Sequence, residues 1–188
     1  MCAGRIAAAL ALAVLPALFA AEAGKLMRPT DGTAFPQGPI EIVARAPEGR
    51  IEIDGKPVEV EAPFPEVLHG KAEVASGEHV LALIWNGGRK EAKFFVGDNP
   101  PAGFQPFRPH PGFESAECAQ CHSVSRRGTF RFSGDCFTCH TDEQFTAHHP
   151  HPKHQLEQCG MCHNAHGGTA DAFLLYPKET ACTICHSL

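Results

Sequence analysis

The sequence predicts a chain of two unlike parts, a small N-terminal all-β immunoglobulin-like sandwich and a C-terminal domain with little regular secondary structure. Three observations predict it. Apolar residues recur with period two from about Met27 to Val96. Eight of the nine cysteines fall between Cys118 and Cys185, where such periodicity is lacking. Between these stretches, residues 98–112 hold five prolines, Pro100, Pro101, Pro106, Pro109 and Pro111, which stiffen the chain toward an extended linker.

Residues 1–23 read as a signal peptide. Arg5 is followed by an apolar run from Ile6 to Phe19 and then by Ala21-Glu22-Ala23, a small-residue cleavage pattern. The run is 14 residues long, short of the roughly 20 that a spanning helix needs. The mature chain is therefore expected to begin near Gly24, to be exported to the periplasm or beyond the cell, and to have no membrane span. Cys2 leaves with the signal segment.

Residues 24–97 form the predicted sandwich. Ile40 and Ile42, Ile51 and Ile53, Val58 and Val60, and the runs His79 to Trp85 and Lys90 to Val96 read as strands. Asp54-Gly55 and Asn86-Gly87-Gly88 are turn signals between them. About five to seven short strands at this spacing suggest the immunoglobulin-like arrangement. Residues 113–188 lack such a pattern and need another source of core.

The eight remaining cysteines supply it. They form Cys118-Ala119-Gln120-Cys121-His122, Cys136-Phe137-Thr138-Cys139-His140, Cys159-Gly160-Met161-Cys162-His163 and Cys182-Thr183-Ile184-Cys185-His186. Each is a c-type haem attachment sequence. Two thiols three residues apart reach the two vinyl groups on one porphyrin edge, and the adjacent His swings under the ring as the proximal iron ligand. Zinc ribbons and disulfides also use paired cysteines, but neither needs a His after every second one. With 12 His in 188 residues, four such placements by chance have a probability on the order of 10⁻⁵. Four covalently attached haem c groups are expected, and residues 113–188 become a tetrahaem cytochrome c domain.

A haem that only carries electrons needs a Met or a second His on the far side of its iron. Met27 opens the sandwich and Met161 lies inside a motif, so histidine is expected there. His110, His148, His149, His151, His154 and His166 remain for the role. His110 precedes Cys118 by eight residues and His151 precedes Cys159 by eight, an internal repeat.

On these residues the chain resembles the doubled Cys-x-x-Cys-His family of multihaem cytochromes, over roughly residues 110–188. In that family a His ahead of the first motif and a His three residues after it serve as distal ligands. The resemblance implies those roles for His151 and His166, with His110 in the matching place ahead of the first pair. Ser125 stands where His166 stands in the second pair, so the first pair departs from the pattern. The fourth distal ligand then falls to the joining segment, His148 first, with His149 and His154 as alternatives.

Phe113, Phe130, Phe132, Phe137 and Phe173 could pack on porphyrin faces or in an ordinary core. Arg126, Arg127 and Arg131 suit haem propionates or a solvated loop. His69 and His79 in the sandwich are either haem ligands for a neighbouring copy or ordinary strand histidines.

Bis-histidine haems imply electron transfer without a bound substrate, so the chain is expected not to be an enzyme. Its partners would be redox proteins, other cytochromes or copies of itself. The alternatives are a haem reductase with one open iron site, and a structural subunit of a cytochrome filament or redox complex. A formal net charge of −5 excludes nucleic acid as a partner, since a phosphate-backbone binder carries a basic face.

Overall fold

The structure, a computed structural model, describes residues 24–112, 117–140, 159–181 and 183. The predicted signal peptide lies outside the described residues. Among them, no helix is long and apolar enough to cross a membrane.

Nine strands build the N-terminal part: β1 (Lys25–Arg28), β2 (Thr33–Phe35), β3 (Ile40–Arg45), β4 (Arg50–Ile53), β5 (Lys56–Val58), β6 (Val67–Ala72), β7 (Gly77–Trp85), β8 (Gly88–Val96) and β9 (Gln105–Pro106). They form two sheets, one in the order β1-β3-β6 and the other in the order β5-β4-β7-β8-β2-β9. The period-two pattern survives as alternate burial. Ile40, Ile42 and Ala44 of β3 are buried while their neighbours are only half-buried, because successive side chains of a strand face opposite sides. The two β-turn signals hold. Asp54 and Gly55 both adopt positive φ, 51° and 75°, as a two-residue hairpin turn requires. The Asp54 carboxylate also accepts hydrogen bonds from the Val80 backbone N–H (2.9 Å) and, at 2.7 Å, faces His79 Nδ1.

Both sheets send side chains into one core. Ile40, Ile42, Ala44 and Leu68 of the smaller sheet pack with Phe35, Ile51, Ile53, Leu81, Leu83, Phe94 and Val96 of the larger. The N-terminal part is thus an all-β sandwich. It has more strands than the expected five to seven, because β2 and β9 span only three and two residues, too short for alternation to register in a sequence.

The proline-rich segment turns at Ala102-Gly103, where the Phe104 N–H bonds the Pro101 carbonyl at 3.2 Å, and its middle does not run clear of the sandwich. Gln105 and Pro106 pair in parallel with Thr33 and Ala34 at the sheet edge, where a residue without an N–H is tolerated. Phe107 then stacks on Phe35 with ring centroids 5.0 Å apart.

Beyond residue 112, regular structure among the described residues consists of pieces of four residues or fewer. They are α1 (Cys118–Cys121), the hairpin β10 (His122–Val124) with β11 (Phe130–Phe132), three 3-10 turns, and α2 (Lys178–Ala181).

Leu81 is fully buried between the sheets. Leu81→Ala is expected to lower unfolding free energy by about 2–5 kcal/mol through lost burial and a residual cavity. The exposed Lys90→Ala is expected to stay within about 0.5 kcal/mol of the parent. Chemical denaturation followed by Trp85 fluorescence measures both.

Candidate functional site

Each described Cys-x-x-Cys-His motif closes a single helical turn. The backbone N–H of His122 bonds the Cys118 carbonyl, that of His140 bonds the Cys136 carbonyl at 2.9 Å, and that of His163 bonds the Cys159 carbonyl at 2.9 Å. Residues i, i+3 and i+4 of a helical turn lie on one face, so both thiols and the imidazole of each motif project together. Asp135 caps the second turn, its Oδ1 accepting from the Phe137 N–H at 2.9 Å. Among the described residues, Cys118, Cys121, Cys136, Cys139, Cys159 and Cys162 form no disulfide with one another. The Cys136 thiol is pushed up to about 11, by burial first and then by the neighbouring Cys159 thiol, which lies within hydrogen-bond reach. The second and third motifs therefore sit side by side. Cys182, Cys185 and His186 of the fourth motif, and His148, His149, His151 and His154, lie outside the described residues.

Two histidine–histidine ring contacts occur among the described residues, and each joins a motif histidine to a non-motif one. His122 faces His166 with centroids 5.9 Å apart and planes within 3° of parallel. His110 faces His140 at 5.9 Å with planes at 66°. Thus His166 lies opposite the first motif, although it follows the third in sequence, and His110 lies opposite the second.

Hydrogen bonds at Nδ1 set the orientation of several of these rings. His163 Nδ1 donates to the Ala172 carbonyl (2.6 Å) and His110 Nδ1 to the Pro111 carbonyl (2.9 Å). His166 Nδ1 lies 3.2 Å from Asn164 Oδ1. A proton on Nδ1 leaves the lone pair on Nε2, the arrangement by which metal-binding imidazoles are held. Ser125, where the sequence lacks a histidine, has a structural task instead. Its Oγ accepts from the Thr129 N–H (3.1 Å) and the Arg127 N–H (3.3 Å) and so shapes the β10–β11 turn.

The sandwich supplies one wall of this site. Phe64 contacts Phe130 and His122, at 5.4 and 6.4 Å between centroids, and the Arg45 guanidinium lies over the Phe130 ring. Arg28 and Glu41 form an ion pair at 2.6 Å beside His166. Burial first, then His122, pushes the His166 pKa down to about 4, with Glu41 opposing and Arg28 assisting, so the ring is neutral at ordinary pH. Burial likewise lowers that of His122, against the backbone at Arg131. Arg131 itself reaches Ser123 Oγ at 3.1 Å.

His69 and His79 are occupied within their own sandwich. His69 bridges Glu61 (2.8 Å) and Glu41 (3.0 Å), and His79 bridges Asp54 (2.7 Å) and the Ala75 carbonyl (2.8 Å). Neither ring has a nitrogen left for a neighbouring copy.

The sequence gives no local signal for Arg28, Glu41, Phe64 or Asn164 at this site. Their contacts link residues far apart in the chain, as Asn164 and Met27 do across 137 positions.

No family model matches the chain, and no curated protein does. Among solved structures, the fibronectin(III)-like modules of Clostridium thermocellum CbhA match 42% of this chain and 100% of their own, at 19% identity and a TM-score of 0.33. A polysaccharide lyase matches 41% of this chain and 12% of its own, at 18% identity and 0.32. Likenesses at this level say nothing of function.

Burial opposes charge on His69, but Glu61 and Glu41 outweigh it and raise its pKa above the ordinary 6.5. A raised folded-state pKa gives stability that is fully present below 6.5 and lost as pH rises through the folded value. Unfolding free energy is therefore expected to fall with rising pH in that window, and His69→Gln to flatten the dependence, as denaturant titration across pH will show.

Proposed function

We propose that the chain is an exported tetrahaem c-type cytochrome that carries electrons through bis-histidine haems and performs no chemistry on a substrate. One observation carries this reading: His122 with His166, and His110 with His140, stand 5.9 Å apart. Metal–imidazole bonds of about 2.0–2.1 Å put two rings on opposite sides of one metal with centroids on the order of 6 Å apart. Aromatic contacts of other kinds share that spacing. The weight comes from the composition of the pairs, each one motif histidine and one of the six left over for the distal role.

Two further observations fit the same group. Paired thiols and a histidine on one face of a helical turn match covalent attachment along one porphyrin edge. Also, the part that would hold the haems buries no apolar side chain among its described residues, while Val124, Phe132, Met161, Leu175 and Tyr176 stand exposed. A flat apolar macrocycle would cover such side chains.

When bound, such haems supply one-electron redox chemistry. The chain's own residues would fix where it happens. The cysteines would anchor each group, and the Nδ1 bonds to the Ala172 and Pro111 carbonyls leave Nε2 of His163 and His110 as the atom able to ligate. A second histidine for each iron would leave no position for a substrate and would favour a low potential relative to Met ligation. The adjacent Cys136 and Cys159 thiols place two attachment points together, which suits electron hopping. Redox proteins, other cytochromes and copies of itself are the partner classes that fit.

The reduced protein is expected to show a low-spin c-type absorption spectrum with four haems per chain and to bind almost no carbon monoxide. Stoichiometric carbon monoxide binding would favour a reductase with an open iron, and an iron-free or zinc-loaded protein would overturn the proposal.

A further inference from the structure

We infer that Asn164 is a positioning residue that fixes His166 opposite His122 and ties that ring to the sandwich. The inference rests on the haem reading above. Among the described residues of the C-terminal part, Asn164 is the buried polar side chain, 4% exposed. Its Oδ1 accepts from the His166 backbone N–H at 3.1 Å and faces His166 Nδ1 at 3.2 Å. Its Nδ2 donates to the Met27 carbonyl of β1 at 3.0 Å. An amide side chain has one accepting oxygen and one donating nitrogen, so these partners settle which way it points.

Its backbone is engaged as well. The Asn164 N–H donates to the Phe173 carbonyl (2.8 Å), and its carbonyl accepts from the Gly167 N–H (3.1 Å). The turn it opens is pressed against the sandwich edge. A Cβ on Gly167 would come within 2.5 Å of Phe107 Cζ and 2.6 Å of the Arg108 carbonyl. Arg108 and Gly168 exchange two backbone hydrogen bonds of 3.0 Å, and Arg108 Nη2 donates to the Ala170 carbonyl at 2.6 Å. The turn is thus held on both sides, and Asn164 converts its position into an orientation of the His166 ring.

With Nδ1–H aimed at Asn164 Oδ1, the lone pair of His166 lies on Nε2, the tautomer an iron requires. Without Oδ1 the ring loses the acceptor that favours this tautomer and restrains its rotation. Loss of such a partner weakens metal ligation about 10–100-fold. The sandwich therefore acts on this one iron through the Met27 carbonyl.

The test uses the full exported protein and electron paramagnetic resonance of the oxidised state. Near-parallel imidazole planes give a rhombic low-spin ferric signal, whereas steeply crossed planes shift the signal to larger g. The His122–His166 and His110–His140 pairs are therefore spectroscopically distinct. Asn164→Ala is expected to remove a rhombic low-spin signal, convert one iron in four to high spin, and raise carbon monoxide binding from near zero to about one per chain. The crossed-pair signal should be unaltered. Asn164→Asp keeps an acceptor at Nδ1 but loses the donor to the Met27 carbonyl, so it should recover part of the low-spin signal and lower the potential of that haem by making the imidazole more basic.

Unchanged spectra and no carbon monoxide binding in Asn164→Ala overturn the inference. A parent protein without low-spin ferric signals overturns the haem reading itself, and the inference falls with it. Retention of four covalent haems in Asn164→Ala, together with the spectral change, supports positioning over loss of fold.

Discussion

A chain segment must bury apolar surface to offset the conformational entropy of ordering it, at about 1–2 kcal/mol per residue for the backbone alone. The described residues of the C-terminal part do not do so by themselves. Among its described residues Asn164, Gly167 and Gly168 are buried, and no apolar side chain is. Every buried apolar side chain of the described structure belongs to the sandwich. That imbalance goes with the short turns of residues 117–140 and 159–181 and with the exposed Phe132 and Tyr176.

The sandwich accordingly does more than precede the motifs. Its smaller sheet presents Arg28, Glu41 and Arg45 toward the C-terminal part, and Phe64, in the loop before β6, reaches His122 and Phe130. Its larger sheet gains β9 and then Phe107, against which the Gly167 turn closes. The two parts therefore share a wall, and the rings on that wall, His122 and His166, are the ones whose pKa values burial depresses. A neutral imidazole ligates a metal, whereas an imidazolium does not. On the proposed reading, the sandwich thus prepares one haem site, while the His110–His140 pair takes its ring from the segment just beyond β9.

Much of the sandwich was legible in the sequence because alternation is local. β3, β7 and β8 could be read from six to nine consecutive residues, and the Asp54-Gly55 turn from two. What failed to register was short, distant or poorly alternating, as in β6, where Val67 and Leu68 are buried side by side. β9 is two residues paired with β2 across the whole sandwich, and prolines on both sides read as a spacer. At the candidate site, the motif spacing identified His122, His140 and His163, and the leftover histidines identified His110 and His166. The sequence could not say which ring faces which, since His166 lies three residues after one motif yet stands against another. Nor could it find Asn164, whose partners lie two residues away on one side and 137 on the other.

The central claim is that four covalently held haems complete the C-terminal part. The mass of the intact protein, measured under denaturing conditions, tests it most directly, because only a covalently attached group survives unfolding. The account predicts a mature polypeptide heavier by four haem groups. A mass equal to the bare polypeptide, or to one bearing only disulfides, would contradict it.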